Sequence, residues 1–277
     1  MITVTLCGGL GNQMFQYAAG RSLSLRLKAP LFLELRWFAE RSGDTARPFE
    51  LHRYPIRATW GTLGLWERLR RRVAGVPRIF TERDLSFDAA FHALTVPVSL
   101  NGYFQSEKYF PGIRETLLAE FVPREPLLEE DHLLKEEMAS HASAALHVRR
   151  GDYANSPSTQ AFHGLLDIPY YERAVAFVSA KRPVDRLYVF SDDILWAQDH
   201  LRFDRPIRFV STGSGIRDMH LMSCCRHQII ANSSFSWWGA WLNTNPDKVV
   251  VAPERWFADE KAERQTGDLI PTGWVRL

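Results

Sequence analysis

The chain has 277 residues, of which 45% are hydrophobic and 24% charged, with a formal net charge of +2. That balance suits a soluble globular protein of one large or two ordinary domains, and it excludes a whole-surface basic footprint for nucleic acid. Three cysteines, two of them the adjacent pair Cys224 and Cys225, make neither a disulfide framework nor a zinc pattern, so a cytoplasmic location is expected.

In chain order, Ile2–Leu6 reads as a first strand that runs straight into a turn, with no charged n-region or long apolar stretch of a signal peptide. The turn is Gly8-Gly9-Leu10-Gly11-Asn12-Gln13, which is neither of the glycine-rich phosphate fingerprints but can let backbone approach a ligand. Met14 to Leu27 has helical apolar spacing, and Leu31–Leu35 reads as a second strand. The pattern weakens from Trp37 to Pro97, a stretch that holds the basic run Arg68–Arg72. Val96–Tyr103 reads as a strand, Ser106 as a cap, and the acidic helical stretch Pro123–His141 as the approach to a domain boundary. No apolar run approaches the roughly 18 residues of a membrane span.

Three strand–loop–helix units follow. Ala144–Val148 leads into Arg149-Arg150-Gly151-Asp152, Arg186–Phe190 into Ser191-Asp192-Asp193, and Gln228–Ala231 into Asn232-Ser233-Ser234-Phe235; Val249–Ala252 is a further buried strand. Alternating strands and helices predict a parallel, doubly wound sheet, whose ligands sit beyond the carboxyl ends of the strands. All three polar clusters fall there.

Strand alternation puts His147 and Arg149 on one side and Arg150 on the other. A histidine with a permanently charged, forked guanidinium suits a nucleotide diphosphate; the plainer alternative is an arginine paired with Asp152. Ser233 and Ser234 at a helix N-terminus offer backbone N–H groups and hydroxyls to an anion, or merely cap the helix. Asp192, ahead of the helical run Ile194–Leu201, reads as a helix cap, with a metal site at Asp192 and Asp193 as the alternative. Asp218 sits in a helix's first turn, where it complements the dipole or accepts from a guanine edge. Trp237 and Trp241, four apart, share a helix face and are expected in the core.

Together these segments resemble glycosyltransferase family 11, the bacterial and animal α-1,2-fucosyltransferases. The resemblance rests on GGLGNQMFQYA at 8–18, RPFEL at 47–51, GYFQSEKYF at 102–110, HVRRGDY at 147–153, FSDD at 190–193, DMHLMS at 218–223 and IIANSSFSWWGAWLN at 229–243. It implies a GT-B-like fold of two Rossmann-like α/β domains with a cleft between them, residues 1–140 on the acceptor side and 141–277 on the donor side. It also implies inverting transfer of L-fucose from the co-substrate GDP-β-L-fucose to O2 of a terminal β-galactoside, with no other cofactor and no metal. His147 and Asp218 would contact guanine, Arg149 the β-phosphate, and Arg150, Asn232, Ser233, Ser234 and Phe235 would complete the donor site. Asn12 and Gln13 would reach the donor from the other domain. Asp152, then Glu50, are the candidate general bases. The acceptor would be a galactose-terminated oligosaccharide or lipid-linked glycan met by a cytoplasmic enzyme, with peripheral contact at the inner membrane as a further expectation. A transferase for another nucleotide sugar and a non-catalytic carbohydrate- or nucleotide-binding module are the competing readings.

Overall fold

A computed structural model describes residues 1–39, 47–64 and 78–277; the side chains of Asp152 and Asn155 and the basic run Arg68–Arg72 lie outside the described residues. The chain divides into two compact units, Met1–Arg124 with Gln265–Pro271, and Glu125–Arg264 with Thr272–Leu277. Each is built on its own parallel sheet, which is the two-unit α/β architecture expected.

In the first unit, β1 (Ile2–Thr5), β2 (Leu31–Glu34), β3 (Thr59–Gly61), β4 (Arg78–Thr81) and β5 (Val98–Asn101) stand in the order β3-β2-β1-β5-β4. Helix α1 (Leu10–Leu27) begins four residues earlier than its apolar spacing suggests. The turn itself is only Gly8-Gly9, with Gly8 at φ +77°, a region open to glycine; Gly9 then accepts the first helical bond, from Gln13 N–H. Asn12 and Gln13 therefore ride on the first turn of a helix. A short helix α2 (Arg36–Ala39) follows β2, and α3 (Arg114–Glu120) closes the unit. Ser106 caps as expected, but what it starts is a single 3-10 turn, Glu107–Tyr109.

In the second unit, helix α4 (Glu129–Ser140) leads into β6 (Ser143–Val148), α5 (Gly151–Asn155), α6 (Pro157–His163) and α7 (Ile168–Lys181). Then come β7 (Arg186–Ser191), α8 (Ile194–His200), β8 (Ile207–Val210), α9 (Gly215–Cys224), β9 (His227–Ile229), α10 (Ser234–Leu242), β10 (Val250–Ala252) and β11 (Val275–Arg276). The sheet order is β11-β10-β9-β6-β7-β8, all parallel. Counted from β6, that is the 3-2-1-4-5-6 order of a dinucleotide-type sheet, whose winding reverses between β6 and β9.

The boundary expected at 140/141 falls instead at 124/125. The reason is packing. Leu134 and Met138 of α4 bury against Ala145, Tyr188 and Phe190 of the second sheet, and Glu137 pairs with Arg186 and Arg208. The other face of that sheet is covered by α7 through Tyr170, Tyr171, Ala174 and Val178. Trp237, Trp238 and Trp241 are buried, with the Trp237 and Trp241 rings stacked at 12°, so the α10 tryptophans are core as expected.

Candidate active site

The carboxyl ends of β6, β7 and β9 bring most of the second unit's predicted residues together. His147 lies near the end of β6 on the α9–α10 side, 4% exposed, its ring 5.4 Å from that of Phe235. Burial is the main reason its pKa falls to about 4; Asp192 opposes that fall and Arg149 adds to it. The imidazole is thus neutral across the physiological range. Its Nδ1 has no hydrogen-bond partner among the described residues.

Arg149 leaves the strand and pairs with Asp192, Nη1 to Oδ2 at 2.8 Å, while its guanidinium lies 5.1 Å from the Tyr153 ring centre. The other Asp192 oxygen accepts from the Arg150 backbone N–H at 2.8 Å. Gly151 leaves room for this clamp, because a Cβ at that position would meet the Asp192 carboxylate at 2.5 Å and push it aside. The Arg150 side chain goes elsewhere: it lies over the Trp196 ring at 3.9 Å, with Nε 3.6 Å from Asp193. Arg150, one of the expected donor contacts, is thus anchored on α8.

Asp193 caps α8, accepting from Trp196 N–H at 3.2 Å; Asp192, the residue first read as the cap, is the arginine clamp instead. No cluster of three or more metal-binding side chains occurs among the described residues.

From β9, Asn232 is 3% exposed and donates its amide to the carbonyls of His163 (2.9 Å) and Trp256 (3.2 Å). Its Oδ1 has no partner among the described residues. Ser233 is the N-cap of α10, accepting from Phe235 N–H at 3.3 Å. Ser234 opens the helix and is half-buried.

Asp218 serves the turn before α9. Its Oδ1 accepts from Thr212 N–H (3.0 Å) and Thr212 hydroxyl (2.7 Å), and burial raises its pKa. The turn runs close to the site, since Gly215 borders the Phe235 ring that covers His147.

The first unit treats its predicted residues differently. Gln13 is 0% exposed and all its bonds stay within the unit: it donates to Gly8 C=O (3.0 Å) and Pro48 C=O (2.9 Å) and accepts from Glu50 N–H (2.9 Å). The expected reach to a donor is therefore corrected to a brace that pins the 48–50 segment to the glycine turn. Asn12, half-buried, accepts from Gln105 at 2.8 Å. Glu50 is half-buried; burial raises its pKa against the pull of Arg53, Arg47 and His52. The Asp152 side chain lies outside the described residues.

Asp192, weighed in the sequence as a cap or a metal ligand, organises both arginines. Two residues not singled out in the sequence, one in each unit, also fix loops after strands. Tyr153 stacks on His163 at 4.5 Å and donates to Asn232 C=O at 3.4 Å, tying β6's loop to β9's. Glu82, at the end of β4, accepts from Tyr103 N–H (2.7 Å) and Phe104 N–H (3.1 Å), yet burial lifts its pKa to about 7. Tyr153 sits inside HVRRGDY and Asp192 inside FSDD, whereas Glu82 carries no signal apart from its place after a strand.

At the reversal point of the second sheet stand a neutral buried histidine, an arginine held by a carboxylate and a serine-capped helix, which together make the candidate ligand site. The chain belongs to glycosyl transferase family 11, whose sequence profile matches residues 79–277, and it is a glycosyltransferase. It is 35% identical to the O-antigen biosynthesis glycosyltransferase WbnK of Escherichia coli, over 98% of this chain and 99% of that protein. It is 31% identical to an alpha-1,2-colitosyltransferase of Escherichia coli, over 100% and 99% respectively. Rabbit (Oryctolagus cuniculus) galactoside alpha-(1,2)-fucosyltransferase 2 is 25% identical over 91% of this chain and 69% of its own length. Among the described residues, no helix is long and apolar enough to cross a membrane.

Proposed function

We propose that this glycosyltransferase moves L-fucose from GDP-β-L-fucose to O2 of a terminal β-galactoside, with inversion and without a metal. The observation that carries the reading is the pair of buried, unsatisfied polar atoms, His147 Nδ1 and Asn232 Oδ1, on β6 and in the loop after β9, the two strands between which the second sheet reverses its winding. Buried polar atoms left without protein partners cost stability unless a ligand or water completes them. Arg149 and the N-terminus of α10 supply positive charge for the diphosphate leaving group, and they stabilise it as the sugar–phosphate bond breaks. Asp192 and Asp193 are committed to Arg149, the Arg150 backbone and the α8 cap, which supports a route without a divalent ion.

The acceptor hydroxyl must give up a proton. Glu50, whose raised pKa makes it a stronger base than an ordinary carboxylate, and Asp152 are our two assignments. A galactose-terminated oligosaccharide or a lipid-linked glycan is the acceptor class, as the fucosyltransferase name of one relative and the O-antigen name of another suggest. The name of the colitosyltransferase relative supports a second reading, transfer of the 3-deoxy counterpart of fucose.

Release of GDP should be measured with GDP-fucose, GDP-colitose and GDP-mannose, each with and without a galactoside and with and without EDTA. Galactoside-dependent turnover of GDP-fucose that survives EDTA is the expected result. Turnover of GDP-colitose alone moves the assignment to the second reading, restoration by Mn or Mg after EDTA restores a metal, and no turnover of any donor leaves a binding module. A pH–rate profile on Glu50→Gln and Asp152→Asn identifies the base by which variant loses its acidic limb.

A further inference from the structure

At the opposite, amino end of the second sheet lies a cavity of about 540 Å³, lined by Ala142, Arg182, Arg226, His227, Asn245 and Asp247 among others. It forms where four segments start or stop: α7 ends at Lys181, β6 starts at Ser143, β9 starts at His227, and the 245–247 turn precedes β10. From His227 to Asn232 is five residues, so roughly 16 Å of strand separate it from the candidate active site.

Two guanidiniums and an imidazole line this cavity against a single carboxylate, that of Asp247. His227 is 4% exposed, and its Nδ1 accepts from Val249 N–H at 3.1 Å. That bond fixes the tautomer: Nε2 carries the proton and is a donor. The ring therefore cannot ligate a metal through either nitrogen as it stands. Arg226 is fastened by its backbone N–H to Ser143 Oγ (3.0 Å) and by its guanidinium to Ala139 C=O (3.3 Å). Arg182 meets Asp247 at 3.6 Å across an exposed pair, which holds little energy and yields readily to a better-placed anion. His227 is kept below its ordinary pKa first by burial and then by Arg182 and Arg226, with Asp247 as the opposing charge, so both guanidiniums act on the ring.

We infer that this cavity is a binding site for a phosphate-class oxyanion, gripped by Arg182 and Arg226 with His227 Nε2–H as the buried donor, and separate from the donor-sugar site. Two guanidiniums can fork onto four oxygens, which a tetrahedral phosphate presents and a chloride does not. Two sources share that chemistry, free phosphate in solution and a phosphomonoester headgroup of an anionic lipid.

The test uses the full-length chain and inorganic phosphate. The His227 ring resonance is followed by NMR at rising phosphate against sodium chloride of equal ionic strength, in the wild type and in the Arg182→Gln, Arg226→Gln double variant. A saturating shift in the wild type, with the ring titrating at higher pH in phosphate, and affinity about tenfold or more weaker in the double variant, is expected. No saturable shift, or the same shift in both proteins, overturns the inference. Flotation with phosphatidic acid vesicles against phosphatidylcholine vesicles then assigns the source: arginine-dependent flotation names the lipid headgroup, and its absence names free phosphate. Both substituted arginines lie outside the proposed catalytic machinery, so transfer to a soluble acceptor should be unchanged. Failure of the phosphate test leaves the transferase reading standing, and failure of the transferase reading leaves the phosphate site standing.

Discussion

The two sheets carry polar residues at the same place, beyond their carboxyl ends, and use them in opposite ways. In the first unit the polar groups satisfy one another: Gln13 spends its amide on Gly8, Pro48 and Glu50, Asn12 takes Gln105, and Glu82 takes two backbone N–H groups. In the second unit His147 Nδ1 and Asn232 Oδ1 are buried with no partner among the described residues. A buried polar atom without a partner is destabilising by about 1–3 kcal/mol. The second sheet therefore carries an unmet demand that a ligand can meet, whereas Gln13, Asn12 and Glu82 of the first unit serve as scaffold. Residues that look equally functional in sequence divide by this test.

The contrast is broken most directly at Arg149. Arg149→Lys keeps the charge but not the planar fork. If the guanidinium stabilises the departing diphosphate, the variant loses about 2.7–4 kcal/mol of transition-state binding, a fall of roughly 10²–10³ in kcat. Because the substituted ammonium could still pair with Asp192, the melting temperature should hold within a few degrees. A Lys variant with near-normal kcat would make Arg149 part of the scaffold, like Gln13.

Gln13→Ala should behave in the opposite manner. It strands the carbonyls of Gly8 and Pro48 and the N–H of Glu50 in a buried place, so a loss of about 3 kcal/mol in unfolding free energy is expected. Donor KM, measured below the new melting temperature, should stay within about twofold of wild type, because none of these bonds leaves the first unit. A large donor KM change with unchanged stability would overturn the brace.

These two residues also show how much was legible in sequence. The strands β1, β2, β6, β7 and β9 could be read because buried parallel strands are short apolar runs bounded by turn residues. The short, partly exposed strands β3, β4 and β8 carry no such run and were missed. The candidate residues of the second sheet could be grouped because His147 stands near the end of a strand and Arg149, Asn232 and Ser233 come shortly after one. The assignment of Gln13 could not be tested from sequence: a glutamine in a helix's first turn looks the same whether it faces a ligand or its own backbone, and only the course of the 48–50 segment decides. The domain boundary failed likewise, because α4 is acidic and linker-like while the stripe that binds it to the second sheet is only Leu134 and Met138.

The contrast can be sharpened by pH. His147 is neutral in the folded protein, with a pKa of about 4 against 6.5 when unfolded. Below pH 6.5 the unfolded chain takes up a proton that the native chain refuses, so stability falls as pH drops from 6.5 towards 4. At 1.36 kcal/mol per unit the loss is of order 3 kcal/mol. His147→Gln should remove that part of the acid sensitivity, as urea denaturation at pH 7 and pH 4.5 would show. Equal sensitivity in both proteins would mean that the imidazole is charged in the native state.

The smallest effect concerns Asp218, which stands between scaffold and site. Its Oδ1 holds Thr212 by two bonds, while the turn it shapes borders Phe235 and, through that ring, His147. Asp218→Ala would confound the two roles, because it removes the turn's acceptor along with the charge. Asp218→Asn separates them. The amide oxygen can still accept from Thr212, so the turn should survive and the melting temperature should hold within about 1 °C, less than the roughly 2–4 °C that 1 kcal/mol produces in a chain of this size. What the amide cannot do is offer a charged acceptor to the N1–H and N2–H₂ edge of guanine. If that contact is made, donor affinity falls by about 2 kcal/mol, the scale of a charge-assisted bond. Such a contact binds the base equally in the ground and transition states, so the loss should appear in KM, roughly thirtyfold, with kcat largely kept. Measuring GDP-fucose KM, kcat and melting temperature on this one variant decides the matter. A variant with wild-type KM and wild-type stability would assign Asp218 to the turn alone and place it with Gln13, among the residues whose polar groups the fold consumes for itself.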